Sequence, residues 1–262
     1  MITINQYLLA TSLEEAYETL VANKKNVILG GMLWLKMGKQ AVHTAIDLSK
    51  LGLDQITETD EYIEIGCMTS LRQVETSRLL QEYFNGIVAN CVKDIVGTQF
   101  RNVATIGGSV FGRFGFSDVL TALLALDTYV ELYKGGVMPL EDFVNAKRNK
   151  DILVKVMIRK SDSKASYHTQ RNSATDFPVL AVAVSQADEG VKISVGARPH
   201  KAKRAYEAEA LLQGGLTEST IDVAAQKVAE ELDFGTNLRA GEAYRKQLAQ
   251  ALVKRAIDEI RA

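Results

Sequence analysis

Residues 97–131 constrain this chain more than any other stretch. Gln99-Phe-Arg-Asn102 leads into Thr105-Ile106-Gly107-Gly108-Ser109, and the glycines Gly107, Gly108, Gly112 and Gly115 follow closely on one another. Ser117 and Asp118 then open an apolar helical run, and Tyr129-Val-Glu-Leu-Tyr133 alternates as a half-buried strand does. Glycine admits positive φ and lets another group approach the main chain closely. Adjacent glycines ahead of a helix suit an anion held on backbone N–H groups. A tight loop joining two core elements is the plainer reading of the same residues. On the anion reading, a β-branched residue at Gly108 resists the positive φ and fills the space a phosphate needs.

A second glycine pair lies upstream. Val27-Ile28-Leu29 reads as a short buried strand that ends at Gly30-Gly31, with a brief helix or turn from Met32 to Met37. A plain strand-ending turn and a second anion-facing loop both fit that pair. Ser12-Leu-Glu-Glu15 is a capping-box pattern for a helix through about Asn23. Ala45-Ile-Asp-Leu48 reads as another strand.

From Gln55 the pattern changes. Gln55–Glu58 and Tyr62–Gly66 form a hairpin pattern around Asp60-Glu61, Thr69 or Ser70 caps a short helix, and Leu79–Val92 suits a longer one. Ile152–Ile158 reads as a strand with Lys155 outward. Val179–Val184 pairs with Val191–Val195 across Asp188-Glu-Gly190. The remainder is helical: 206–213, 219–232 and 241–261, with Leu248, Leu252, Ala256 and Ile260 on one face of the last helix. The shifts near 55 and 165 divide the chain into parts at 1–55, 56–162 and 163–262.

Composition excludes several classes. Over 262 residues, 47% are hydrophobic and 24% charged, as in an ordinary soluble globular protein. A net charge of −1 gives no general attraction to nucleic acid. No run is long enough to span a bilayer. The N-terminal Met-Ile-Thr-Ile-Asn-Gln has no basic or apolar signal region, so the expected location is the cytoplasm. Cys67 and Cys91 lack cluster or zinc spacing, and His43, His168 and His200 are scattered. There is no Gly-x-Gly-x-x-Gly, no phosphate-loop motif and no Gly-x-Ser-x-Gly elbow.

Gln99, Arg101, Asn102, Ala104–Gly108, Asp118 and Ala122–Asp127 resemble a long stretch of the FAD-binding subunits of the molybdenum hydroxylases, the family of xanthine dehydrogenase and carbon monoxide dehydrogenase. That stretch runs close to Gln-Ile-Arg-Asn-x-Ala-Thr-Ile-Gly-Gly-Asn, then Asp, then Pro-Ala-Leu-Leu-Ala-Leu-Asp-Ala. Gly30-Gly31 is similar to the family's Ala-Gly-Gly-Thr-Asp-Leu-Leu, with Met32 and Leu33 in place of Thr-Asp and Trp34 in place of a smaller apolar residue. Tyr167 and Asp176 fit the opening of the family's C-terminal domain. Thr169 stands where a Lys is usual there, and Arg171 is an alternative source of that charge. A surface pair at a strand edge is the plainer reading of Arg171 and Asp176. Ala240–Leu248 resembles the family's Ser-Ala-Glu-Tyr-Arg-Arg segment.

The resemblance implies an α+β fold: a two-part FAD-binding domain of the vanillyl-alcohol oxidase/p-cresol methylhydroxylase type, then a C-terminal domain with antiparallel sheet and helices. It implies FAD, and because no residue is placed for a covalent flavin bond the FAD is expected to be non-covalent. The cofactor-binding candidates are Leu29, Gly30, Gly31, Met32, Leu33, Trp34, Thr105, Ile106, Gly107, Gly108, Ser109, Arg113, Asp118 and Arg171, with no catalytic or metal-ligating residue. Thr105 and Ser109 would bond phosphate, Asp118 a sugar hydroxyl, and Arg113 would neutralise phosphate or meet a partner. Iron–sulfur clusters and molybdopterin belong to partner subunits, with NAD or another carrier as the electron acceptor. Phe111, Arg113, Phe114 and Phe116 are candidates for a partner-facing edge, with buried core the rival reading of the phenylalanines. Two other functions stand beside this one: a self-sufficient FAD-dependent oxidoreductase, and a flavin-fold protein that has lost its function.

Overall fold

The computed structural model describes residues 2–262. The chain divides into two units. The first holds the residues through Val74, Thr98–Gly112 and Thr128–Arg159. It begins with a three-stranded parallel sheet in the order Thr3–Leu9, Ala41–Asp47, Val27–Leu29. The first crossover carries the helix Leu13–Ala22, which buries Ala16 and Leu20. Ser12 Oγ accepts the Glu15 N–H at 3.1 Å. The Glu15 carboxylate reaches the Thr11 N–H at 2.7 Å, one residue ahead of the donor a capping box would use.

The same unit contains a five-stranded antiparallel sheet, in the order Ile56–Glu58, Tyr62–Gly66, Leu153–Arg159, Thr128–Leu132, Gly136–Pro139. Strand periodicity sorts its side chains. Ile63, Ile65, Val130, Val156 and Ile158 are buried. On the alternate positions, Lys155 Nζ lies 2.8 Å from Glu64 Oε1 and 3.3 Å from Glu131 Oε2. The Arg159 guanidinium lies over the rings of Tyr62 and Tyr129.

One lysine ties this sheet's segment to the first helix. Lys150 Nζ donates to the carbonyls of Leu20, at 2.8 Å, and Asn23, at 2.5 Å, where the helix leaves C=O groups without partners. Lys150→Met is expected to lower the urea midpoint by an amount equivalent to about 1 kcal/mol, the scale of partly exposed hydrogen bonds to a charged group. An unchanged midpoint would show that solvent serves those carbonyls equally well.

The second unit holds Glu75–Gly97, Arg113–Asp127 and the residues from Lys160 onward. Its four-stranded antiparallel sheet runs Lys203–Arg204, Gly190–Gly196, Pro178–Ala187, Lys164–Arg171. Val179–Val184 is buried on both faces, which is why it reads as a continuous apolar run. On one face, Leu180, Val182, Val184, Ile193 and Val195 pack with Ile221, Val228, Leu252, Val253 and Ile257 of the helices Glu218–Glu231 and Glu242–Arg261. The other face is lined by small residues and meets the helix Asp118–Leu124. The Thr121 hydroxyl fills the place where a Cβ on Gly196 would stand, and Ser185 Oγ donates to the Ala125 carbonyl.

Several elements differ from the sequence reading or go beyond it, among them the strand Thr3–Leu9 and the helix Leu140–Asn145. Leu79–Val92 is not one helix: Arg78–Glu82 and Ile87–Asn90 are separated by Phe84, Asn85 and Gly86, with φ of 54°, 54° and 70°. A right-handed helix cannot run through three left-handed residues, and the apolar pattern does not report them. Lys164–Arg171 is a strand, hidden because it carries mostly polar residues. Among the described residues no helix is long and apolar enough to cross a membrane.

Candidate functional site

In the first unit the strand Val27–Leu29 delivers Gly30-Gly31 onto the start of a helix, Ile106–Gly112. A Cβ on Gly30 would lie 3.1 Å from Thr105 Oγ1 and 3.4 Å from Gly108 Cα, and one on Gly108 would lie 3.0 Å from the Gly30 carbonyl. The two glycine pairs therefore pack backbone against backbone. Gly31 has φ +77°, and a Cβ there would fall on the Val103 carbonyl. Gly108, by contrast, is helical and its φ is not positive. The positive-φ argument applies to Gly31, and close approach is what requires Gly108.

The donors are distributed unevenly between the two loops. At the helix start, the Ile106 N–H donates to the Thr69 carbonyl at 2.8 Å and the Gly107 N–H to the Cys67 carbonyl at 2.9 Å. The Gly108 N–H donates to Thr105 Oγ1 at 3.1 Å, and Ser109 Oγ to the Thr105 carbonyl at 3.0 Å. Those groups are satisfied within the chain. In the other loop, the N–H groups of Gly31, Met32 and Leu33 donate to no protein group among the described residues. Met32 is also left-handed, with φ 60°, and packs against the cluster of Leu29, Val42 and Ala45. Its carbonyl accepts the Lys36 N–H at 2.9 Å. Consecutive N–H groups in such a turn make an anion-binding concavity that does not depend on side chains. Trp34, 38% exposed, follows directly.

In the second unit Asp118 is 5% exposed at the start of its helix, after the N-cap Ser117. Its Oδ1 accepts from Arg171 Nη2 and from the Tyr167 hydroxyl, both at 2.5 Å. Burial pushes the Asp118 carboxyl up to about 6, against the pull of Arg171 and Tyr167. Burial also raises the Tyr167 phenol and the nearby Cys91 thiol well above their ordinary values. Arg171 is not half of a surface pair with Asp176. Its side chain is 8% exposed and touches Asp176 through the latter's carbonyl, while the Asp176 carboxylate pairs with Arg239 at 3.3 Å. The sequence offers no signal that Asp118 meets Tyr167 and Arg171, because these two share the strand Lys164–Arg171 and lie 49 and 53 residues further along the chain than Asp118.

The remaining candidates sort by burial. Arg113 is 5% exposed with φ 46°, which removes it from any exposed edge. Phe111 packs on Phe143, with ring centroids 5.8 Å apart. Phe114 stacks on Phe116 at 5.2 Å, and Phe116 meets the edge of Phe177 at 4.7 Å. Cys67 and Cys91 are free and buried, the first with its thiol pushed up to about 12 by desolvation. Among the described residues no group of His, Cys, Asp and Glu is arranged to hold a metal.

The sequence family described as the FAD binding domain in molybdopterin dehydrogenase matches residues 3–160, and the family described as the CO dehydrogenase flavoprotein C-terminal domain matches residues 165–260. The nicotine 6-hydroxylase medium subunit of Paenarthrobacter nicotinovorans is 24% identical, over 97% of this chain and 96% of its own length. The glyceraldehyde dehydrogenase medium chain of Sulfolobus acidocaldarius is 23% identical, over 97% of both. A carbon monoxide dehydrogenase structure from Hydrogenophaga pseudoflava superposes with a TM-score of 0.88 at 22% identity, covering 97% of this chain and 96% of that one. The mixed helix-and-sheet fold is thus that of the carbon monoxide dehydrogenase flavoprotein.

Proposed function

Because this chain belongs to the family of FAD-binding domains in molybdopterin dehydrogenases, we propose that it relays electrons within a multi-subunit molybdenum hydroxylase. It receives them from an iron–sulfur subunit and passes them to NAD or another external carrier, while substrate is oxidised on a molybdopterin subunit. The complex works in the cytoplasm. Bound FAD supplies the redox chemistry, and the protein supplies binding and orientation.

The observation that carries the reading is the glycine loop. The N–H groups of Gly31, Met32 and Leu33 hold the FAD diphosphate, and the Thr105 hydroxyl, which already accepts from Gly108, keeps its proton to donate. Gly30 and Gly108 shape the floor by close backbone contact, Leu29, Ile106 and Gly107 flank them in the chain, and Ser109 secures Thr105. The Met32 and Leu33 side chains add no polar contact. Their replacement of hydroxyl and carboxylate groups leaves the backbone donors intact.

FAD is held non-covalently, so acid precipitation is expected to release the yellow colour into the supernatant. Colour kept in the pellet would contradict this. The relay is tested by rapid mixing of reducing substrate with the assembled complex. Flavin reduction is expected there, and none when the iron–sulfur subunit is left out. Substrate-driven reduction of this chain alone would instead identify a self-sufficient oxidoreductase, and a purified chain that never takes up FAD would identify a fold that has lost its function.

A further inference from the structure

Six cations of the first unit gather around the C-terminal end of the helix Leu13–Ala22. Lys24 and Lys25 make the exposed turn that follows it. Lys150 Nζ donates to its last carbonyls, and Lys147 and Arg148 stand exposed in the loop just ahead of Lys150. Lys134 Nζ lies 5.3 Å from the ring centroid of Tyr17, on that helix, and 4.5 Å from that of Tyr133. Arg148 donates to the Gly112 carbonyl, at the end of the helix Ile106–Gly112. Helix ends account for Lys150 and Arg148, and the two rings for Lys134. No described side-chain contact accounts for Lys24, Lys25 and Lys147. Among the described residues no carboxylate pairs with any of the six, whereas Lys227, Lys246 and Lys254 of the second unit pair with Glu207, Glu242 and Asp222. In a chain of net charge −1 this is a local excess of positive charge.

The patch stands apart from the diphosphate loop. Lys24-Lys25 precedes the strand Val27–Leu29, whose other end delivers Gly30-Gly31 about 10 Å away at strand rise. Gly112 closes the helix that begins at Ile106, again about 10 Å away at helical rise. We propose that these cations steer an acidic face of a partner subunit onto the first unit, and so set the rate at which the complex assembles. This rests on the multi-subunit reading above and not on the FAD contacts. Lysine is depleted at the centre of interfaces, whose rims are polar. Charges at a rim act mainly on the rate of encounter and on its salt dependence. The partner is therefore recognised by clustered carboxylates on the surface it brings to this end of the helix.

The test mixes the flavin-loaded chain with the iron–sulfur subunit and with the molybdopterin subunit in turn, and follows association and dissociation at low and at physiological salt. With one of the two, the association rate is expected to fall steeply as salt is added. Lys24→Glu with Lys147→Glu is expected to slow that association about tenfold or more at low salt, to flatten its salt dependence, and to leave dissociation nearly unchanged. Both residues are exposed, so circular dichroism is expected to match the unaltered chain. The same change of charge in the second unit, Lys192→Glu with Lys203→Glu, is expected to leave association as it was. Association that ignores salt would overturn the proposal. Equal slowing by the two double variants would overturn it too, because net charge and not this patch would then set the rate. If the unaltered chain associates with neither subunit, the multi-subunit function fails first and this inference with it. If it associates, and Lys24→Glu with Lys147→Glu does so at the unaltered rate, this inference fails alone.

Discussion

Gly31→Val is expected to abolish retention of FAD and to destabilise the first unit by about 2–6 kcal/mol. Two costs add. A β-branched residue at φ +77° is strained by about 1–3 kcal/mol. Its Cβ would also be driven onto the Val103 carbonyl, which belongs to the main chain and cannot rotate away, an overpacking cost of about 1–3 kcal/mol. Relief would move Val103 or the loop, and the loop carries the three N–H donors. Gly108→Val has only the second kind of cost, because its backbone is helical and its nearest neighbour is the Gly30 carbonyl at 3.0 Å. The expected order of flavin loss is Gly31→Val above Gly108→Val, read from the ratio of flavin to protein absorbance after purification. Equal retention in Gly31→Val and the unaltered chain would remove this loop from the site.

Asp118→Ala is expected to cost the second unit about 3–5 kcal/mol, measured by urea unfolding of the flavin-free chain. The reason is what stays behind: Arg171, 8% exposed, loses its carboxylate, and the Tyr167 hydroxyl loses its acceptor. Removing the charge as well, in Asp118→Ala with Arg171→Leu, is expected to cost less than the sum of the two single changes. Strict additivity would show that the pair is not coupled. The pH dependence has a defined sign. Burial raises the Asp118 carboxyl to about 6 in the folded chain, above its unfolded value near 3.9. Its contribution to stability is therefore fully present below about pH 4 and is lost as pH rises through 6. Asp118→Asn is expected to remove that slope from the difference in unfolding free energy between the two chains. A slope that persists in Asp118→Asn would assign it to another group.

Glycine placement, strand alternation and helix signals were readable because each is a local preference. A short apolar strand running into Gly30-Gly31, the hairpin through Asp60-Glu61 and the central strand at Val179 all follow from residue type at short spacing, and so does membership of a flavoprotein family through residues 99–127. The sequence also marked both glycine pairs. It carried no sign of which N–H groups stay available, because that depends on what the neighbouring main chain offers. Cys67 and Thr69 consume the donors at Gly107 and Ile106, and no described residue consumes those at Gly31, Met32 and Leu33. The left-handed break at Phe84–Gly86 was equally invisible to periodicity. The buried Arg245 shows the same limit. Its motif was visible, but its donation to the carbonyls of Val179, Gly235 and Ala240 and to Asn237 Oδ1 exists only once the loop and the strand have folded around it. Asp118, Tyr167 and Arg171 complete the contrast. The sequence marked Asp118 and Arg171 as candidates for the cofactor and Tyr167 as a family match, and only tertiary packing, by taking all three out of water together, made them partners and raised the carboxyl.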